Sequence, residues 1–255
     1  MRLCRFTIAE DSRPQFGIID NETVHLSDAI RIEEVSFDNS KRSMKMSEVT
    51  LLAPVQPSKI VCVGRNYREH AAELGNKMPD EPLLFLKAPS ALIGHGECIK
   101  LPDASQQVEH EGELGVVIGR TAEKLKEDEK ALDYVLGYTC VNDVTARDLQ
   151  RKDVQFTRAK SFDTFCPAGP VVETEIDPLN VTVTTRVNGV QKQKGNTADM
   201  AFSVPFLIKY ISNIMTLFPG DLIVTGTPAG VSRLQPGDAV EVEVDGVGIL
   251  RNSVC

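Results

Sequence analysis

The sequence has no CxxC pair, no GxGxxG or P-loop fingerprint and no complete HExxH, and each absence closes off a class of chemistry. Its six cysteines stand far apart, at 4, 62, 98, 140, 166 and 255. Neither a zinc knuckle nor a thioredoxin-type couple can be assembled from such spacings. In Ile60-Val61-Cys62-Val63 the cysteine sits inside an apolar run, the setting of a reduced, buried thiol. Without a glycine-rich phosphate cradle, nothing points to nucleotide chemistry. Surplus positive charge is missing too: 28 Lys and Arg stand against 36 Asp and Glu, for a net charge of -8 and a pI near 5.1. An acidic surface of this kind excludes nucleic acid or an anionic membrane as the main partner. No apolar stretch approaches the roughly 20 residues that span a bilayer. The start, Met1-Arg2-Leu3-Cys4-Arg5-Phe6, lacks the apolar core of a signal peptide, so a cytoplasmic protein is expected.

What remains is an ordinary globular composition, 42% hydrophobic and 25% charged, in 255 residues. Residues 1–53 read as a small β-rich domain, with strand-like runs at Leu3 to Ile8, Phe16 to Ile19 and Thr23 to Leu26 and a tight turn at Asp20-Asn21. A polar stretch follows, Asp38-Asn39-Ser40-Lys41-Arg42-Ser43, and Pro54 and Pro57 mark entry into a main domain over 54–255. There, apolar β-branched runs dominate: Ile60–Val63, Leu114–Ile118, Tyr138–Val141, Val181–Val187, Leu222–Thr225 and Val240–Val244. Turn signals such as Asn188-Gly189, Pro219-Gly220-Asp221 and Asp245-Gly246 separate them. Helical patterning is confined to Arg68 to Leu74, Val144 to Lys152 and Val204 to Met215. Strands and helices do not alternate, which predicts a mixed α+β, mainly β architecture rather than a doubly wound parallel sheet.

Three clusters carry residues suited to chemistry. In Val108-Glu109-His110-Glu111-Gly112-Glu113-Leu114, a strand places Glu111 and Glu113 on one face, about 7 Å apart. Two such carboxylates repel unless a cation lies between them, and oxygen-only ligands suit Mg²⁺, Mn²⁺ or Ca²⁺ rather than zinc. A solvated strand edge is the plainer alternative, and Glu109 is either a further ligand or a rim charge. The would-be zinc motif fails because Leu114 stands where its second histidine belongs. In Asn142-Asp143-Val144-Thr145-Ala146-Arg147-Asp148-Leu149-Gln150, a helix starting at Asp143 would align Asp143, Arg147 and Gln150 on one face. They would complete a metal site and hold a substrate carboxylate, unless Asp143 is a helix cap ion-paired with Arg147. In Arg65-Asn66-Tyr67-Arg68-Glu69-His70-Ala71-Ala72-Glu73, Asn66 and Glu69 read as a capping box, and His70 and Glu73 face one way. That pair could activate water, or simply be exposed helix surface. The loop Gly75 to Pro82 after it could hinge the helix as a lid. Lys160, Thr227 in Thr225-Gly226-Thr227-Pro228, and the loop Gly195-Asn196-Thr197 are weaker candidates for ligand contact, and Cys166 has no histidine near it in sequence.

The ordered series GRNYREHAAELG, PLLFLKAPSALIGHGECIKLP, VEHEGELGVVIG, GYTCVNDVTARDLQ, RAKSFDTFCPAGP and GDLIVTGTPAGV strongly resembles the fumarylacetoacetate hydrolase superfamily, from about Lys59 to the C-terminus. The resemblance implies a β-sandwich roll, usually dimeric, with Glu111, Glu113 and Asp143 binding Mg²⁺ or Mn²⁺. It implies a catalytic dyad of His70 and Glu73, Lys160 beside the reacting group, and substrate contacts from Arg147, Gln150 and Thr227. The implied substrates are small 2-oxo acids. First among the implied activities is hydrolysis of the C–C bond of acylpyruvates such as acetylpyruvate or fumarylpyruvate, with decarboxylation of oxaloacetate as a further one. Isomerisation of 2-hydroxy-diene dicarboxylates from aromatic breakdown is the alternative, and a non-catalytic metal-binding fold a third reading. The segment between Gln150 and Lys160 is shorter than in some acylpyruvase relatives, so substrate choice is not carried across by the resemblance.

Overall fold

The computed structural model describes residues 1–36 and 42–255; of the expected polar stretch at 38–43, only Arg42 and Ser43 fall within the described residues. Two sheets carry the molecule. The larger is twelve-stranded and runs, side by side, Ser43–Lys45, Thr23–Ser27, Asp11–Asp20, Arg2–Ile8, Cys166–Glu173, Val135–Asn142, Gly112–Ile118, Leu222–Val224, Ile60–Gly64 and Leu83–Lys87. Val49–Leu51 and Leu92–Ile93 attach to it off that path. The second sheet orders Val190–Asn196, Thr182–Val187, Ala239–Val244, Gly248–Val254 and Cys98–Ile99. Pairing is mainly antiparallel, as the absence of strand–helix alternation predicts. The N-terminal strands do not stand apart: Arg2 pairs with Glu173 and Leu3 with Val172, so their sheet is continuous with that of the main body.

Burial patterns explain the layering. Every residue of Gly112–Ile118 is buried, which is why its apolar run does not alternate: both its faces are covered. In Ala239–Val244, by contrast, Val240, Val242 and Val244 are buried while Glu241 and Glu243 between them are not, the period-two signature of a half-buried strand. Asn188 and Gly189 both have positive φ, 53° and 76°, and close the hairpin between Thr182–Val187 and Val190–Asn196 as the turn chemistry predicts.

Among the described residues four short α-helices lie against this frame: α1 (Arg68–Glu73), α2 (Arg147–Lys152), α3 (Thr157–Lys160) and α4 (Val204–Ser212). Two differ from the helical patterning. The segment before α2 is not helical, because Thr145 and Ala146 pair with Glu109 and Val108 as a short strand. The start of α1 has no capping box: Tyr67 is its N-cap, and Asn66 turns its amide away to bond Phe202 and Thr225. Cys4, Cys62, Cys140 and Cys166 are free and buried, in line with the reduced state expected of cysteines in apolar runs. Cys98 and Cys255, brought together by parallel pairing of the Cys98–Ile99 and Gly248–Val254 strands, form a disulfide.

One parallel pair is fastened by a buried carboxylate. Ile60–Gly64 runs parallel to Leu222–Val224. Just before the latter, fully buried Asp221 accepts hydrogen bonds from the Ser58, Lys59 and Phe218 amides, from the Ser58 hydroxyl and from the Lys59 ammonium at 2.5 Å. Removing it leaves several buried donors without an acceptor. Asp221→Ala is expected to cost about 3 kcal/mol of stability, measured by urea unfolding, with Asp221→Asn losing less because it keeps one acceptor oxygen.

Candidate metal centre and cavity

Strand register builds the acidic cluster. Gly112 lies opposite Asn142, and the next step outward brings Asp143 beside Glu111, with the Asp143 amide donating to the Glu111 carbonyl at 2.8 Å. Asn142 turns its own side-chain oxygen back to accept from the Glu111 amide at 3.0 Å. One carboxylate oxygen each from Glu111, Glu113 and Asp143 then falls within 4.8 Å of the others, all three residues being buried. The glycine between the glutamates is required by packing: a Cβ on Gly112 would stand 2.0 Å from the Thr185 hydroxyl of the second sheet.

Buried cations surround the cluster. Lys160 donates to Glu111 at 2.7 Å and to Asp143 at 2.6 Å. Lys87 takes the other Asp143 oxygen at 2.6 Å and also reaches the Val144 carbonyl at 3.1 Å. Arg147 pairs with Glu111 and with Glu109, the latter at 2.8 Å, and donates to Gln150 at 2.6 Å. Glu109 is therefore neither a metal ligand nor a rim charge; it holds Arg147 in place. Burial alone would raise the Glu111 carboxyl, but the Lys160 and Arg147 charges beside it hold it well below the usual carboxylate range. Burial likewise disfavours charged Lys160, and Asp143 and Glu111 more than offset this.

Glu113 is different. Among the described residues its one hydrogen bond is from the Gly226 amide, and no cation pairs with it. Burial first, then the charges of Asp143 and Glu111, push its carboxyl well above the ordinary value. A buried carboxylate facing two others, with no cationic partner of its own, is what an oxygen-ligated divalent cation corrects. The donor set therefore fits Mg²⁺ or Mn²⁺, with Ca²⁺ a third cation that such oxygens accept.

A cavity of about 320 Å³ opens over the cluster. Its wall includes Glu111, Glu113, Asp143, Arg147, Gln150, Lys160, Thr227 and His70, so the residues singled out in the sequence converge on one space, with Glu73 just behind. His70 is buried, and its Nδ1 faces a Glu73 carboxylate oxygen at 3.3 Å. Glu73 in turn accepts from the Gly230 amide at 3.0 and 3.2 Å, tying α1 to the loop after Leu222–Val224. Exposed helix surface therefore does not describe His70, although Glu73 behind it is exposed to solvent.

Some expected geometry is not there. Asp143 is neither a helix cap nor paired with Arg147, because it lies in the bend before Thr145–Ala146 and the two lysines take its oxygens. It shares no helical face with Arg147 and Gln150, which open α2 together. The Thr227 hydroxyl is committed, donating to the Gly112 carbonyl at 2.9 Å and accepting from Gln193 at 2.7 Å. Gly195-Asn196-Thr197 is no ligand loop: Gly195 packs on Pro228, Asn196 accepts from the Ala198 amide, and Thr197 accepts from the Val181 amide. Two participants escaped the sequence reading. Lys87 ends an apolar strand with nothing nearby to mark it. Gln193 joins His110, Gly112, Thr227 and Pro228 through its two amide atoms, and only a buried glutamine in an otherwise exposed strand could have hinted at it.

Comparison with known proteins agrees with this geometry. Residues 59–255 match the family model described as "Fumarylacetoacetate (FAA) hydrolase C-terminal", and residues 1–54 match "Rv2993c-like, N-terminal". The chain is 45% identical over 224 residues to the oxaloacetate tautomerase YisK of Bacillus subtilis, spanning 82% of this chain and 74% of the relative. The crystal structure of 2-hydroxyhepta-2,4-diene-1,7-dioate isomerase from Mycobacterium marinum aligns with a TM-score of 0.88 at 40% identity, covering 100% of this chain and 98% of that one. Maleylpyruvate hydrolase from Sphingobium sp. SYK-6, in complex with manganese(II) ion and pyruvate, aligns with a TM-score of 0.82 at 29% identity, covering 100% and 98%.

Two outcomes follow for the metal. Because the raised Glu113 carboxyl keeps its proton to higher pH, binding Mn²⁺ should release a proton and tighten as pH rises above the ordinary carboxylate range; calorimetry in two buffers of different ionisation enthalpy reads this directly. Glu113→Gln should weaken Mn²⁺ binding about 100-fold, yet leave the metal-free protein about 1 kcal/mol more stable near neutral pH, since it removes a carboxyl that ionises freely in the unfolded chain but must take up a proton to be buried in the fold. Metal affinity that ignores both pH and this substitution would rule out Glu113 as a ligand.

Proposed function

The chain belongs to the fumarylacetoacetate hydrolase family, and on that premise we propose that it is a divalent-metal-dependent tautomerase or isomerase of 2-oxo acids, with oxaloacetate as the simplest substrate of the class. One observation carries the reading: His70, backed by Glu73, stands at the wall of the cavity that the acidic cluster floors. Similarity to an oxaloacetate tautomerase and to a diene-dioate isomerase supports it.

Keto–enol conversion moves one proton between an oxygen and the neighbouring carbon. With His70 Nδ1 turned to Glu73, Nε2 is the nitrogen left for the substrate. It takes the proton from the enol O–H and returns it to the carbon, so one bond to hydrogen breaks and one forms. Glu73, held by the Gly230 amide, fixes the ring and offsets the imidazolium charge between the two transfers. Glu111, Glu113 and Asp143 would hold a divalent cation, which supplies Lewis-acid polarisation of the 2-oxo acid end. Lys160 and Arg147 oppose the negative charge that develops there, and they are buried, so water screens them little. The buried set pairs Glu109, Glu111 and Asp143 with Lys87, Arg147 and Lys160. Adding an ionised Glu113 and a divalent cation leaves one positive charge in excess, which favours an anionic substrate.

Acylpyruvate hydrolysis, which the motifs put first, is the second reading, favoured by the likeness to the maleylpyruvate hydrolase. It would use the same dyad to deprotonate water. A homodimer, implied by the resemblance, is proposed alongside either reading.

The test is an assay of the Mg²⁺-loaded protein on enol-oxaloacetate, a hydroxymuconate, acetylpyruvate and fumarylpyruvate. Tautomerisation or double-bond migration is expected to exceed C–C cleavage, to vanish on chelation, and to fall about 100-fold or more in His70→Ala. Cleavage of the acylpyruvates with no proton shift would replace the first reading by the second. Turnover of none of them would leave only the non-catalytic metal-binding fold.

A further inference from the structure

Two cations on the cavity wall, Arg65 and Arg151, pair with no carboxylate among the described residues, and only Arg65 is without a hydrogen-bond partner as well. Arg65, Arg147, Arg151 and Lys160 all line it. Arg147 and Lys160 are ion-paired with the buried carboxylates, and exposed Arg151 donates to Gln107 at 3.2 Å. Arg65 is half-buried and, among the described residues, makes no side-chain hydrogen bond or ion pair. Its backbone lies at φ 57°, in the left-handed region that glycine enters freely and a residue with a side chain enters at a cost.

The surrounding frame explains that turn. Asn66, fully buried, is fixed by its bonds to Phe202 and Thr225, so the chain leaving Ile60–Gly64 must turn sharply at Arg65 to reach that anchor. The turn puts Arg65 on the cavity wall. The same segment packs on Gly226, where an added Cβ would stand 2.7 Å from the Asn66 Cβ, and the Gly226 amide donates to Glu113. Arg65 thus adjoins the acidic cluster without belonging to it.

We propose that Arg65 sets specificity for dicarboxylates: its guanidinium receives the distal carboxylate of a 2-oxo acid whose other end faces Glu111, Glu113 and Asp143. This rests on the 2-oxo acid reading given above. A free guanidinium offers a fork of donors that matches a carboxylate bidentately. The single positive charge left over in the loaded cluster answers one carboxylate, and a dicarboxylate brings a second that the paired side chains do not meet. A monocarboxylic 2-oxo acid has nothing to give Arg65.

The experiment titrates the Mg²⁺-loaded protein with oxaloacetate and with pyruvate, which lacks the distal carboxylate. Arg65→Gly is the principal variant because glycine adopts the same φ without strain, so the turn survives. Arg65→Lys keeps the charge and loses the fork. The wild type should bind oxaloacetate more tightly than pyruvate. Arg65→Gly should weaken oxaloacetate binding about tenfold or more while changing pyruvate binding less than about twofold, with Arg65→Lys in between. Equal loss for both ligands, no loss for either, or a wild type that does not prefer oxaloacetate would each overturn the assignment. Arg65-dependent binding without tautomerisation would remove the tautomerase reading and leave this one standing; tautomerisation with binding indifferent to Arg65 would do the reverse.

Discussion

The bridge that Lys160 makes between Glu111 and Asp143 is the interaction on which the rest of the site depends. Its three members come from three elements: the entry to Gly112–Ile118, the bend after Val135–Asn142, and the end of α3. Each charge, taken out of water alone, would cost several kcal/mol, so none of these elements can bury its residue unless the others arrive. Lys87 and Arg147 extend the same logic, one to the far oxygen of Asp143 and the other to that of Glu111. The result is a chain of alternating charge from Lys87 to Glu109, with Glu113 beside it and without a cationic partner among the described residues, so that Glu111, Glu113 and Asp143 form a candidate metal site.

Neutral contacts hold this charged chain in register. Gln193, from the second sheet, spends its oxygen on His110 and the Gly112 amide and its nitrogen on Thr227 and Pro228. It therefore locks the strand that carries the glutamates to the loop that supplies the Gly226 amide. Gly112 makes this approach of the sheets possible, since any side chain there would collide with Thr185. Structural packing and the ligand set are thus specified by the same few residues.

Much of this was legible in the sequence, and what was not has a common cause. Apolar runs and turn dipeptides located the strands because burial and positive φ leave local traces, as at Leu114–Ile118 and Asn188-Gly189. The two glutamates and the aspartate stood out by type and spacing, but a solvated strand edge and a helix cap remained open for them until the ordered motifs supplied the family resemblance. Lys87, Gln193 and the role of Asn66 could not, because each is defined by a partner 56, 34 and 136 residues away, at Asp143, Thr227 and Phe202. The same cause moved the start of α2: Thr145 and Ala146 suit a helix locally but are taken by pairing with Val108 and Glu109. The continuity of the N-terminal strands with the main sheet was equally invisible, since Arg2 finds Glu173 across almost the whole chain.

The parallel pair of Ile60–Gly64 with Leu222–Val224 has a consequence for how the protein is made. The first of these strands leads to the helix bearing His70, and the second leads to the loop that holds Glu113 and Glu73. A ribosome delivers them far apart in time, and the earlier strand must wait without its neighbour while the intervening chain is synthesised. During that interval the carboxylates already exist but nothing closes around them. The candidate metal cluster is therefore completed only when the last quarter of the chain emerges, and until then the Ile60–Gly64 strand has one side open to pairing with another chain.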